Sequence, residues 1–204
     1  MVLSNLFEKI LKTGSVEVRE DLLFVHEQLR KRHEAATEVL SLLNTKLVAA
    51  DGSPHAATIL SAAAWLTGTS VYRAIQDKEI SLPGAAVALQ DVYREWETLV
   101  YLLEEYNLQR TDIPIGLVVL AAMAAPRSFR PQVDMPYVQS ELQQQYNAVM
   151  EKHGFDYREG TRVGILLCSI LIQEYSRAGM IETDAATGVV AQRIFEAAKQ
   201  CSLP

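Results

Sequence analysis

The sequence predicts an all-α fold, a single-domain bundle of about eight helices with mostly antiparallel neighbours. Three observations carry this. Apolar residues recur three or four positions apart along nearly the whole chain, the spacing that lines one face of a helix. No stretch alternates convincingly between apolar and polar residues, and the lone Asp51-Gly52 pair sits between helical segments. Ala and Leu supply roughly a quarter of the residues, and both favour helix. A chain of 204 residues is one domain or at most two, and residues 1–204 read as one.

The elements follow in order. Residues 3–12 form a short amphipathic helix with Leu3, Leu6, Phe7, Ile10 and Leu11 on one face, ended by Gly14 within the N-terminal stretch 1–14. Docking on the domain itself is the expected use of that face. Residues 16–49 form a long helix. Its stripe, Leu22, His26, Leu29, His33, Ala36, Leu40, Leu43 and Leu47, is spaced strictly four and three, as in a coiled-coil seam. Asp51-Gly52-Ser53-Pro54 breaks the chain. Residues 54–78 are rich in small residues, among them Ala57, Ser61, Ala63 and Gly68, and carry few charges, so this helix is expected to be central. Ser81-Leu82-Pro83-Gly84 is the next break. Residues 84–108 repeat the strict seam with Ala85, Leu89, Val92, Trp96, Leu99, Leu103 and Tyr106.

Residues 112–125 are apolar all round and should be buried, with Asp112 as N-cap. Three prolines in the eleven residues 126–136 make this the one long irregular loop. Residues 137–152 form a glutamine-rich, half-exposed helix closed by Gly154. Residues 161–178 form an apolar helix ending at Gly179. A strand over 163–172 is the rival reading, but Gln173 to Gly179 continue naturally into a helix C-terminus. The last helix spans 184–200, capped by Thr183 or Asp184. A polar helix precedes an apolar one three times, with a period of roughly fifty residues. No residue signature repeats with it, so up-and-down packing is the simpler account.

Composition excludes several classes of function. With 49% hydrophobic and 22% charged residues, the chain is neither disordered nor low-complexity. A net charge of -6 argues against a nucleic-acid binder, and Arg30-Lys31-Arg32 is a solvated helix face among acidic neighbours. Cys168 and Cys201 form no C-x-x-C pair, which leaves two reduced thiols. No stretch reaches the ~18 apolar residues of a membrane span, and the N-terminus lacks the basic start of a secretion signal. The expected location is the cytoplasm.

Candidate functional residues are few. His26 and His33 fall in an apolar seam, but two helical turns separate them, roughly 10 Å along the axis, too far to share a metal ion. The helical ligand spacings His-x-x-x-His and Glu-x-x-His are absent, so no metal site is expected. Glu95, with Glu104 and Glu105, can supply carboxylates if the helices over 16–49 and 84–108 are neighbours. Arg127-Ser128-Phe129-Arg130 is the best loop candidate, since paired guanidinium groups hold phosphate or carboxylate. His153, Asp156, Tyr157 and Arg158 make a second polar turn around Gly154 and Gly160. No nucleophile elbow or phosphate-binding glycine loop occurs, no cofactor is implied, and Cys168 sits in an apolar run.

Two readings of function follow. One is a helical bundle acting by self-association or protein interaction, without catalysis, its interface built on Leu29, Leu40 and Leu43. The other is a bundle with a ligand pocket between helices, drawing on His26, His33, Tyr72, Glu95, Arg127 and Arg130.

Overall fold

The computed structural model describes residues 16–48, 52–76 and 118–200. These form six helices: α1 (Val16–Lys46), α2 (Ala56–Gln76), α3 (Val118–Met123), α4 (Met135–Lys152), α5 (Tyr157–Arg177) and α6 (Thr183–Gln200). The described residues contain no strand, and a single backbone bridge between Val48 and Pro54 closes the α1–α2 turn. The expected helices over 3–12 and 84–108, and the cap Asp112, lie outside the described residues, as does Cys201.

α2 is the hub. Every residue from Ala57 to Tyr72 is buried, and the helix packs against α1, α4, α5 and α6. Small side chains make this possible. A Cβ built on Gly68 would lie 2.5 Å from the Ile194 carbonyl oxygen, so α6 crosses α2 at the one position without a side chain. Gly164 allows the same approach of α5 to Thr67, and Gly188 that of α6 to the backbone of Ala121 and Ala122. The helix also buries hydroxyls, and most of them bond the preceding turn: Thr67 donates to Ala63, Ser70 to Leu66.

Hydrogen bonds fix the directions of neighbouring helices. Gln132 N–H donates to Thr58 Oγ1 (2.9 Å), Trp65 Nε1–H donates to Gln139 Oε1 (3.1 Å), and Thr69 pairs with Gln143 (2.6 Å). All three pairs are 74 residues apart, so α4 runs parallel to α2. This pair departs from the antiparallel expectation. α5 runs against α2, with Gly160 beside Ser70 and Gly164 beside Thr67.

Element ends follow the local chemistry. α5 begins four residues before the expected 161 because the Asp156 carboxylate accepts the Glu159 N–H at 2.8 Å and caps the first turn. Thr183 and Asp184 lie inside the first turn of α6 rather than at its cap. α4 begins at Met135, since Pro136 sits in the first turn, where no N–H is required. Gly154 and Gly179 close α4 and α5 with φ of 71° and 68°.

The seam of α1 requires a correction. Ala35, Ala36, Val39, Leu43 and Leu47 are buried, but His26 and His33 are exposed and Leu29 is 48% exposed. One turn before Ala36 the inward face carries Arg32, whose guanidinium clasps Glu159 of α5 at 2.7 and 3.1 Å. Positions 32, 36, 39 and 43 form the true stripe, and His33 is rotated about 100° from Arg32. The expected burial of residues 112–125 also needs revising at its described end: Met123 is 75% exposed and Ala124 is exposed. Among the described residues, no helix is long and apolar enough to cross a membrane.

Candidate functional site

A cleft of about 240 Å³ opens where the α4–α5 turn meets the C-terminal half of α2. Its far wall is Ser70. Its near wall is the stripe Tyr146, Asn147, Met150 and Glu151 of α4, and its rim is Phe155, Asp156, Tyr157 and Gly160. The volume falls below the roughly 300–1,000 Å³ of sites for drug-sized molecules, so it suits a small molecule.

The turn builds the rim. The Phe155 N–H donates to the Met150 carbonyl (2.9 Å) and the Gly154 N–H to the Glu151 carbonyl (2.9 Å), with Gly154 left-handed. This two-bond helix ending folds the residue after the glycine back onto the last turn of the helix. It thereby places Phe155 beside Met150 in the same cleft. One residue later Asp156 caps α5, and Tyr157 follows half-buried. The glycine at 160 leaves space: a Cβ there would meet Met150 Cγ at 3.4 Å and Ser70 Oγ at 3.6 Å.

The floor is the Tyr146 phenol. It is buried, and its hydroxyl donates to the Gly160 carbonyl at 2.7 Å. Burial raises its pKa well above the ordinary phenol value, outweighing the opposing hydrogen bond with Ser70. Tyr146 is therefore a neutral phenol at any ordinary pH. The Ser70 hydroxyl is within hydrogen-bond distance of the Leu66 carbonyl, and among the described residues no imidazole, thiol or cationic side chain lines the cleft. The lining charges are the carboxylates of Glu151 and Asp156.

An ion-pair clamp lies next to the rim and ties α1 to the turn. Glu38 receives Lys152 Nζ at 2.8 and 2.9 Å, and His153 Nε2 lies 3.1 Å from the same carboxylate. The Lys152 hydrogen bond holds the Glu38 carboxyl below its usual pKa, with His153 adding to the effect. The His153 ring stacks on Phe155, with centroids 5.9 Å apart. On the other side Glu159 is held by Arg32 and Arg162.

The residues singled out in the sequence lie elsewhere. His26 and His33 are exposed on α1, Tyr72 is buried two residues beyond Ser70, and Arg127 and Arg130 are exposed. None of these five lines the cleft, and Glu95 lies outside the described residues. Phe129, between the two arginines, is buried edge-on to the Tyr175 ring, so the loop's aromatic anchors it to α5. The second polar turn fares differently: Asp156, Tyr157 and Gly160 are on the rim. The α4 wall escaped the sequence reading. Its signal was the four-residue spacing of Tyr146 with Met150 and of Asn147 with Glu151. Among the described residues, no group of three or more His, Cys, Asp or Glu side chains is placed to hold a metal ion.

No family model, no curated protein and no solved structure matches this chain.

Proposed function

We propose that this chain is a non-enzymatic helical protein that binds a small molecule in the cleft between α2, α4 and α5. One observation carries the reading: the cleft combines an apolar interior, a buried phenol fixed by a hydrogen bond, and an open rim. Within the same proposal the chain is a single cytoplasmic domain of about eight helices.

The test is a fragment screen read by amide NMR shifts. Binding is expected to move the amides of residues 146–160 and of Ser70 together. Gly160→Ala should retain the fold, since the added methyl meets only ordinary contacts, and should weaken the hits by narrowing the cleft. Hits that map elsewhere, or equal binding by the variant, would remove the cleft as the site.

A second reading is self-association through α1. Leu29 supports it, being a large apolar side chain about half exposed on that helix. Leu43 is fully buried and Leu40 partly so, which leaves Leu29 as the one of the three expected interface residues with the most apolar surface to offer. Native mass spectrometry of Leu29→Asp tests it: an assembly that falls apart favours the interface, and an unchanged subunit number sinks it.

A further inference from the structure

We infer that the molecule held in this cleft is a small organic cation, an amine or quaternary ammonium compound; the inference rests on the ligand-binding reading of the same cleft. The charges around the turn are unevenly satisfied. Glu38 has Lys152 and His153, and Glu159 has Arg32 and Arg162. Glu151 and Asp156, the two carboxylates on the cleft, are exposed at its mouth and form no ion pair among the described residues. The nearest basic side chains in sequence are Lys152 and Arg158; Lys152 is engaged by Glu38, Arg158 is exposed, and neither lines the cleft.

The rest of the lining fits a cation as well. Tyr146, Phe155 and Tyr157 contribute three aromatic rings, and Met150 a polarisable thioether. Aromatic faces attract a desolvated ammonium group, and quaternary ammonium ligands are recognised in this way. An anion would meet two carboxylates here. The start of α5, where an anion is otherwise favoured, is already occupied, because the Asp156 carboxylate takes the Glu159 N–H. A neutral apolar molecule would fill the volume but leave the carboxylates unused.

Choline and its uncharged carbon isostere 3,3-dimethyl-1-butanol separate these possibilities. Each is titrated into the 15N-labelled protein, with ionic strength held constant by sodium chloride. Choline is expected to shift the amides of Phe155, Tyr157 and Gly160 saturably, at least about tenfold more tightly than the isostere. Glu151→Gln removes one charge. Asp156→Asn removes the other and keeps a capping oxygen. Each should weaken choline roughly threefold and leave the isostere unchanged. Thermal unfolding of both variants confirms that the fold is intact.

The outcomes divide cleanly. Isostere binding equal to choline overturns the cation inference and leaves the cleft as an apolar site. If neither probe binds, the inference also falls, and the fragment screen decides whether the cleft itself survives. Choline shifts that persist unchanged in both variants would likewise overturn it.

Discussion

Gly68 and Cys168 show what a single position does when buried on all sides. Gly68→Ala adds helix propensity of up to about 1 kcal/mol. Its new methyl, however, would lie 2.5 Å from backbone of α6, which cannot swing aside like a side-chain tip. Overpacking of this kind costs roughly 1–3 kcal/mol, so the expected result is a net loss of stability in urea unfolding. An unchanged midpoint would mean that α6 moves freely against α2. Cys168 is fully buried, and burial pushes its thiol pKa up to about 12 despite a weak hydrogen bond with Thr67. The thiolate is the reactive form. In a Cys201→Ser background, Cys168 should therefore resist iodoacetamide near pH 8 until the protein is unfolded with denaturant. Rapid labelling of the native protein would contradict the packing of α5 on α2. The apolar run around Cys168 made this legible in the sequence. The role of Gly68 was only half legible, since a small residue announces a close approach without naming the partner.

At the scale of elements, helices were readable and their faces were not always so. Three of the helices, α2, α4 and α6, begin and end within two residues of the periodicity, because glycine stops and apolar spacing are local signals. α5 starts earlier than expected, since Asp156 competes with the apolar run as the marker of the start. The face of α1 was misread because a strict four-three stripe drifts about 20° per heptad on a straight helix. The drift was settled by a distant carboxylate, Glu159, that no local pattern reveals. This ion pair is partly buried at both ends. A double-mutant cycle of Arg32→Ala and Glu159→Ala should show coupling of about 1 kcal/mol. Additive losses would show that the pair contributes nothing to docking α1. The second half of the clamp has a pH signature. Glu38 has a lowered pKa, so its stabilisation is present above the ordinary carboxylate range and fades as pH falls through the folded value. Hydrogen exchange in α1 should rise below about pH 4.5 relative to Glu38→Gln. Equal exchange in the two proteins would remove Glu38 from the clamp.

For the whole molecule, the fold class was open to sequence reasoning, and of the site only the turn carrying Asp156, Tyr157 and Gly160 was. A cleft assembled from α2, α4 and α5 depends on the spatial order of helices, which short-range periodicity does not encode. The core also sets an alkaline limit. Cys168 and Tyr175 both have pKa values pushed up to about 12 by burial, and Tyr146 is raised further. Unfolding frees each group to ionise near its ordinary value, so the unfolded chain binds fewer protons above about pH 9. Their stabilisation is complete below that point and is lost as pH climbs toward the folded values. The unfolding midpoint should fall steadily from pH 9 to 11, and Tyr175→Phe should flatten part of the slope. A flat profile in the unmodified protein would show that these groups reach solvent.

The 74-residue offset between α2 and α4 also bears on how fast the protein reaches its native state. Tyr146 finds Gly160 only 14 positions away, so the α4–α5 hairpin can form on its own within a short loop. The opposite wall of the cleft waits for partners far along the chain, and distant partners meet slowly. Emission from Trp65, read in a Trp96→Phe background, should therefore settle after the hairpin's helical signal in a refolding experiment. A cleft closed by the slowest contact is open for business only in chains that have finished folding, so a bound ligand would select completed molecules over stalled ones.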